Sequence, residues 1–352
     1  MMNPVLVEVL RGSHVESRHC GALAIVDAEG AIHTALGDVE RPIFPRSAVK
    51  ALQALPLLES GAAERLNLSD AELALACASH SGEPEHVATA AGVLARLGLN
   101  QNALECGTQW PSRDPVLRAM IARGEQATPL HNNCSGKHAG FVCVACQLAI
   151  AQGREPGEFA RGYVAPGHPA MLEVTAALAA MTSTELRDAP QGTDGCSIPT
   201  FGIPLRALAL AFARLGSGQD LTPERAKAAG RLRAAVAAQP FMVAGTQRFD
   251  TLVMQALGER LFCKIGAEGV YCAAFPDLGL GLALKIDDGT SRAAEAAMAA
   301  VAEGLLLPSL DDSQASLLKA YSEMPLINWR GIHVGGVRAA AALRSALGSQ
   351  PA

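Results

Sequence analysis

Strand-like runs at the two ends of this 352-residue chain enclose a long stretch of helical periodicity, and that order limits the folds open to it. Near the start, residues 5–10 alternate loosely between apolar and polar positions and 22–27 form a short apolar run. Ala28-Glu29-Gly30 then reads as a hairpin turn before 31–35. From Pro45 to about Ala238 apolar residues recur at helical spacing, in segments 48–60, 84–97, 114–123, 137–152, 169–181, 205–215 and 223–238. Several of these end at Gly or just before Gly or Pro, as helices do. Strand-like runs return at 251–257, 261–265, 270–275 and 281–286, and an alanine-rich amphipathic helix follows at 293–306. The alanine-rich tail beyond Val337 reads as a surface helix. An antiparallel sheet built from both termini, with a helical subdomain inserted, satisfies this order; the expected class is therefore α+β, as one domain. The sheet part would take about 1–45 and 245–340, the helical part about 46–244.

Composition narrows the function classes. Hydrophobic residues make up 49% of the chain and charged residues only 18%, which describes a well-buried protein. Aromatics are 4%, so alanine, leucine and valine must fill the interior. No apolar run reaches the ~18 residues needed to cross a bilayer. The start of the chain lacks the basic and apolar stretches of a signal peptide, and a cytoplasmic protein is expected. A net charge of −5 and the lack of a basic patch with stacked aromatics argue against nucleic acid as a partner. In that compartment the nine cysteines are core fillers, metal ligands or reactive thiols rather than disulfides.

Five segments carry residue types that chemistry uses. In Arg46-Ser47-Ala48-Val49-Lys50 a serine stands three residues before a lysine, a spacing that puts both on one helix face, roughly 5–6 Å apart at Cβ. An amine at that separation can take the hydroxyl proton and turn the serine into a nucleophile. The plain alternative is a helix-capping serine followed by a surface lysine. In 77–86, two serines, two histidines and two glutamates crowd a helix start at Pro84; Ser81 and Glu85 suit capping, whereas Ser79 and His80 close an apolar run and should be part-buried. In 131–140, Cys134 stands three before Lys137 at another helix start, where the helix terminus and a neighbouring cation would make the thiol a thiolate. Cys143, Cys146, Cys263 and Cys272 lie inside apolar runs and read as core. In 191–199, Asp194-Gly195-Cys196 forms a tight turn, a setting for polar groups facing a cleft or for a local Asx bond. Finally, Lys264-Ile265-Gly266 places a lysine on a strand, as in serine enzymes where a Lys-x-Gly strand closes the site opposite a Ser-x-x-Lys nucleophile. No zinc-finger spacing, phosphate-binding glycine loop or Ser-His-Asp pattern is present.

Taken together, Arg46-Ser47-x-x-Lys50, Ser79-His80-Ser81-Gly82-Glu83, Cys134-Ser135-Gly136-Lys137-His138-Ala139-Gly140, Asp194-Gly195-Cys196 and Arg248-Phe249-Asp250-Thr251 resemble the Rhizobium-type L-asparaginases, the asparaginase II family. The resemblance runs from Arg11-Gly12 to Asn328, and the Cys-Ser-Gly-Lys-His-Ala-Gly string is its most specific part. It implies a fold like that of serine β-lactamases and glutaminases, and hydrolysis of the side-chain amide of L-asparagine to L-aspartate and ammonia. It also implies two serine–lysine pairs, Ser47 with Lys50 and Ser79 with Lys264. A Zn²⁺ site, one per subunit, would use Cys134, Lys137 and Cys196, with Asp194 and His138 close by, in a homodimer. Arg46, His80, Glu83, His138 and Asp194 are then candidates for gripping the substrate. The physics is consistent: burial or positive charge frees a lysine of its proton, and a zinc ion deprotonates thiols and leaves its fourth position open.

Rival readings make different demands. A β-lactamase- or peptidase-like serine hydrolase, or a glutaminase, would keep the serine chemistry and change the substrate. A thiol amidase would rely on Cys134. A non-catalytic zinc-thiolate protein would bind metal and turn over no amide.

Overall fold

A computed structural model describes residues 2–348 of the chain. It divides into two compact units, one of Met1–Ala48, Ile203–Ser217 and Cys263–Ala352, the other of Val49–Gly202 and Gly218–Phe262.

The first unit is built on an eight-stranded sheet. Its strands are β1 (Val5–Arg11), β2 (His14–Asp27), β3 (Ile32–Leu36), β4 (Phe262–Ile265), β5 (Val270–Phe275), β6 (Leu280–Ile286), β7 (Glu323–Ile327) and β8 (His333–Ala339). They run in the order β7-β8-β1-β2-β6-β5-β4, with β3 also paired to β2. The pairings of β1 with β2 and β8, of β2 with β3 and β6, of β5 with β6 and of β7 with β8 are all antiparallel. The sheet is therefore made from both ends of the chain, as the sequence order required, and the fold class is α+β.

Burial follows composition. The first half of β2 alternates, while Ala22 to Val26 are all buried, as on a strand covered on both faces. Every residue of β5 is buried too. Two helices supply the cover, Leu205–Ser217 against β2, β5 and β6, and Ser291–Leu306 against β1, β5, β6 and β8. Small residues let them approach closely: a Cβ on Gly281 would stand 2.0 Å from the Ala209 carbonyl oxygen and 2.2 Å from the Ala213 nitrogen. Only glycine admits the Leu205–Ser217 backbone at that distance. Its place in the sequence puts this helix with the helical middle, but an amphipathic pattern cannot say which partner its apolar face meets, and the helix belongs to the sheet unit. The alanine-rich tail behaves as expected only after Ala339, where the short helix Ala341–Ala346 packs on β1; Val337 to Ala339 still belong to β8.

The second unit is helical apart from a small hairpin, Gln191–Thr193 with Pro199–Phe201. Its centre is the helix Ser135–Ala151, buried on nearly all sides and packed by Leu55–Glu59, Asp70–Ala76, Pro84–Arg96 and Pro169–Thr182. A helix that is apolar all round belongs in a core, and its sequence shows no amphipathic stripe.

Two expectations for this unit need correction. Residues 251–257 are not a strand but part of the helix Phe249–Leu257, whose buried Phe249, Val253, Met254 and Leu257 fall at helical spacing. The β-branched and apolar content of that short run hid the period. The segment 48–60 is not one helix either: it breaks into the 3-10 turn Arg46–Val49 and the helices Lys50–Gln53 and Leu55–Glu59, the last with a proline in its first turn.

Candidate active site

In the second unit, polar side chains converge where four backbone segments end. The first segment is the helix Asp70–Ala76, closed at its start by a Ser69–Glu72 capping box. The chain leaves it through Cys77 and Ala78 to Ser79. The second is the start of the helix Ser135–Ala151. A Cβ on Gly136 would stand 2.3 Å from the Leu75 carbonyl oxygen, so glycine lets this helix start cross directly over the end of the first. Asn132 braces that start: its side chain accepts from the Cys134 N–H at 2.8 Å and donates to the carbonyls of Cys106 and Gly107 at 3.0 and 3.1 Å. The third is the turn of the small hairpin, closed by Asp194 N–H to Ile198 O at 2.8 Å and Ser197 N–H to Asp194 O at 2.9 Å. It turns Cys196 inward, to 3% exposure, through a left-handed Ser197 (φ +77°). The fourth is the helix Lys50–Gln53, whose first residue is buried.

The convergence is dominated by two amines and two thiols. Lys50, 1% exposed, donates from Nζ to the Ala78 carbonyl at 2.5 Å, to Ser79 Oγ at 2.9 Å and toward the Asn133 carbonyl at 3.5 Å. Lys137 Nζ lies 3.0 Å from Cys196 Sγ and 5.6 Å from the centre of the Phe141 ring. Cys134 Sγ lies 3.1 Å from the side-chain oxygen Oδ1 of Asn133, as its hydrogen-bond donor.

Protons distribute unevenly over this group. A hydrogen bond from Cys196 holds the Cys134 thiol well below its usual range against the effect of burial, and the charges of Lys50 and Lys137 add to the lowering. Cys196, as the donor of that bond and itself buried, is pushed up. For Lys137, burial works against the charge, but the neighbouring Cys134 and Cys196 more than offset it and raise the pKa. Lys50 is lowered, chiefly by burial. The shifts thus favour the charged forms of Cys134 and Lys137 and the neutral form of Lys50. An amine of that kind, hydrogen-bonded to a serine hydroxyl, can serve as a general base.

The two thiols and the Lys137 amine also form a sulfur–sulfur–nitrogen donor set that suits a tetrahedral ion with one position left open. Among the described residues no group of three His, Cys, Asp or Glu side chains is arranged to hold a metal ion. A metal at Cys134 and Cys196 would thus depend on the lysine, which would have to release its proton on binding.

Other expected site residues are held in place by neighbouring groups. His80 is buried with both ring nitrogens engaged: Nδ1 accepts from the Gly82 N–H at 3.1 Å, and Nε2 donates to Ser135 Oγ at 2.9 Å. It stacks on His86, which stacks on Phe241. His80 therefore ties two segments of the site together. The Glu83 carboxylate accepts from the backbone and hydroxyl of Thr246 at 2.7 and 2.6 Å, and caps the helix Pro84–Arg96. Burial lowers the pKa of His80 and His138 well below the usual histidine range. Asp194 is half-buried beside its own turn, and its charge contributes to raising Lys137.

Arg46, Ser47 and Lys264 lie in the first unit. Arg46 has φ +52°, a left-handed conformation that costs a residue with a Cβ roughly 1–2 kcal/mol, and it immediately precedes Ser47, which is half-buried. Lys264, fully buried on β4, donates to the Ile265 carbonyl at 2.8 Å. The same strand end meets the Ser47 turn, since a Cβ on Gly266 would stand 2.5 Å from the Pro45 carbonyl oxygen. Ser47 and Lys264 thus share one corner of the sheet unit, while Lys50, Ser79, Cys134, Lys137 and Cys196 gather in the helical one.

Sequence reasoning missed Asn132, Asn133 and Tyr163. The two asparagines stand inside a string already singled out, and an Asn before a helix start is a capping signal. Tyr163 carries no local signal, because its partners are 25 and 58 residues away.

No curated protein matches the chain. Among solved structures, it is similar to a β-lactamase from Mycobacterium bovis, at 14% identity, with 86% of this chain and 94% of that one covered and a TM-score of 0.39. The profile of the family described as L-asparaginase II matches residues 7–339. The chain belongs to the L-asparaginase II family.

Proposed function

We propose that this protein hydrolyses the side-chain amide of L-asparagine to L-aspartate and ammonia by acyl transfer through a serine. The observation that carries the reading is Lys50, an amine buried to 1% exposure and lowered in pKa, hydrogen-bonded to the Ser79 hydroxyl and three residues after Ser47, in a chain of an amidohydrolase family. In this reading Lys50 takes the proton from Ser47, three residues earlier in the chain. Ser47 attacks the amide carbon, ammonia leaves, and water hydrolyses the resulting ester. Ser79 and Lys264 relay protons to the leaving group. Backbone N–H groups of the Arg46–Val49 turn are candidates for holding the oxyanion. Arg46 and Asp194 are candidates for the α-carboxylate and α-amine of the substrate.

The Lys50–Ser79 hydrogen bond favours a second assignment within the same chemistry, with Ser79 as the nucleophile and Ser47 in the relay. Cys134, Lys137 and Cys196 would hold a zinc ion. Bound there, zinc would supply Lewis-acid polarisation or orientation of a substrate oxygen. A homodimer belongs to the same reading and is checked by light scattering.

Ammonia release from L-asparagine, L-glutamine and a β-lactam, with wild type, Ser47→Ala and Ser79→Ala, tests the proposal. Turnover of asparagine, abolished by Ser47→Ala, supports it. Acylation by the β-lactam with indifference to asparagine favours a β-lactamase- or peptidase-like enzyme, and preference for glutamine a glutaminase. Metal binding without turnover of any amide would leave a zinc-thiolate protein.

A further inference from the structure

Between the 3-10 turn Gln101–Ala103 and the helix Asp114–Ala122 the chain runs irregularly, yet it is tied to two of the site's segments. Asn132 holds the carbonyls of Cys106 and Gly107, and the Ser112 N–H donates to the Ser81 carbonyl at 3.1 Å. A Cβ on Gly82 (φ +73°) would stand 3.1 Å from Pro111 Cα, so the contact at that end is backbone against backbone. Gln109 falls between these anchors, and its Oε1 accepts the N–H of Asn133, 24 residues further along, at 3.2 Å. A backbone N–H can only donate, so it is the amide oxygen of Gln109 that faces it.

That bond holds a peptide plane. At the other side of the plane, the Asn132 carbonyl accepts the Ser135 N–H at 2.8 Å. With the plane fixed, the next carbonyl, that of Asn133, is directed into the site, where it accepts the His80 N–H at 3.2 Å and the Lys50 amine at 3.5 Å. Lys50 Nζ is therefore held by carbonyls of two separate segments, Ala78 and Asn133, with Ser79 Oγ at 2.9 Å. A lysine amine ends a flexible four-carbon stem, and such anchors are what keep it in one place.

We propose that Gln109 is a positioning residue of the reaction: by holding Asn133 it sets the carbonyl that keeps the Lys50 amine aimed at the serine hydroxyl. The proposal rests on the amidohydrolase reading above and adds to it a residue that acts only through Asn133 and Lys50. A displacement of a reacting group by about 1 Å costs roughly a hundredfold in rate, and it leaves substrate binding as it was.

The test compares, in the full chain, Gln109→Met, which keeps the reach and loses the acceptor, with Gln109→Glu, which keeps an acceptor at the same reach. Gln109→Met should lower kcat for L-asparagine roughly ten- to a hundredfold, with KM and the calorimetric Kd of L-aspartate within about threefold of wild type. Gln109→Glu should bring kcat back to within about threefold of wild type. In ¹H–¹⁵N spectra the Asn133 N–H should exchange with solvent faster in Gln109→Met than in wild type or Gln109→Glu. Thr108→Ala, at the exposed neighbouring position, should leave kcat unchanged. Should Gln109→Met fail to fold, Gln109→Asn, which draws the amide back by one methylene, carries the same expectations.

A kcat for Gln109→Met within about threefold of wild type would overturn the proposal. So would a Kd for L-aspartate that rises in step with the fall in kcat, or a Gln109→Glu variant as slow as Gln109→Met. If the wild type itself releases no ammonia from L-asparagine, the amidohydrolase reading fails and takes this role of Gln109 with it.

Discussion

The amine of Lys50 lies 2.9 Å from the hydroxyl of Ser79, inside the helical unit and away from water. Burial, the strongest influence on Lys50, favours its neutral form. Lys50→Met keeps the length of the side chain and removes the base. It should cut ammonia release from L-asparagine by at least about a hundredfold, the usual worth of a general base, while circular dichroism stays native. A loss below about threefold would remove Lys50 from the chemistry.

Activity should also rise with pH as Lys50 loses its proton, with a midpoint below the ordinary lysine value of 10.5 because burial lowers it. A pH profile of kcat/KM checks this. An inflection at or above 10.5, or none attributable to Lys50, would contradict the assignment.

The buried histidines predict how stability depends on pH. The pKa values of His80 and His138 are pushed well below 6.5, and that of His86 below it, in each case chiefly by burial. Below pH 6.5 the unfolded chain takes up protons that these folded histidines refuse. Their contribution to stability is therefore intact above 6.5 and falls as pH drops, by up to about 1.4 kcal/mol per pH unit for each. Urea titrations at pH 7.5, 6.0 and 5.0 should show this decline, and His80→Phe should flatten it. Constant stability across that window would mean that the histidines accept protons in place.

The thiol pair makes a separate prediction. Cys134→Ala and Cys196→Ala should each lower zinc content measured by elemental analysis, and Lys137→Met should do so as well, since the donor set needs the amine. Zinc retained in all three variants would place any metal elsewhere.

Close backbone approach positions the site, and one methyl tests it. Gly136→Ala puts a Cβ 2.3 Å from the Leu75 carbonyl oxygen, between two backbones that cannot both yield. A loss of stability of about 2–3 kcal/mol is expected, at the upper end of ordinary overpacking costs. Gly92→Ala, a helical position with open space, is the control. Equal stability of the two variants would contradict the crossing.

Much of this was legible in the sequence, for identifiable reasons. Two-residue alternation and the Ala28-Glu29-Gly30 turn announce the amino-terminal strands, and Ser-x-x-Lys and Cys-x-x-Lys spacings announce the helix starts that carry Lys50 and Lys137. What stayed hidden was partner choice. Amphipathicity identifies the helix Leu205–Ser217 but not the sheet it covers, and apolar β-branched residues gave 251–257 the look of a strand. The hydrogen-bond partners of His80 and Glu83 were likewise invisible, because Ser135 and Thr246 lie 55 and 163 residues away. Local pattern reports local structure, while hydrogen-bond satisfaction is settled by the tertiary fold.

The central claim is a serine nucleophile activated by lysine, and the most direct measurement is the mass of the acyl-enzyme. L-asparagine should be mixed with wild type, Ser47→Ala and Ser79→Ala, quenched in acid within milliseconds, and the adduct located by peptide mass spectrometry. The account predicts an aspartyl ester on Ser47 in the wild type, retained in Ser79→Ala and absent from Ser47→Ala. An adduct on Cys134, or full turnover by Ser47→Ala and Ser79→Ala alike, would contradict it.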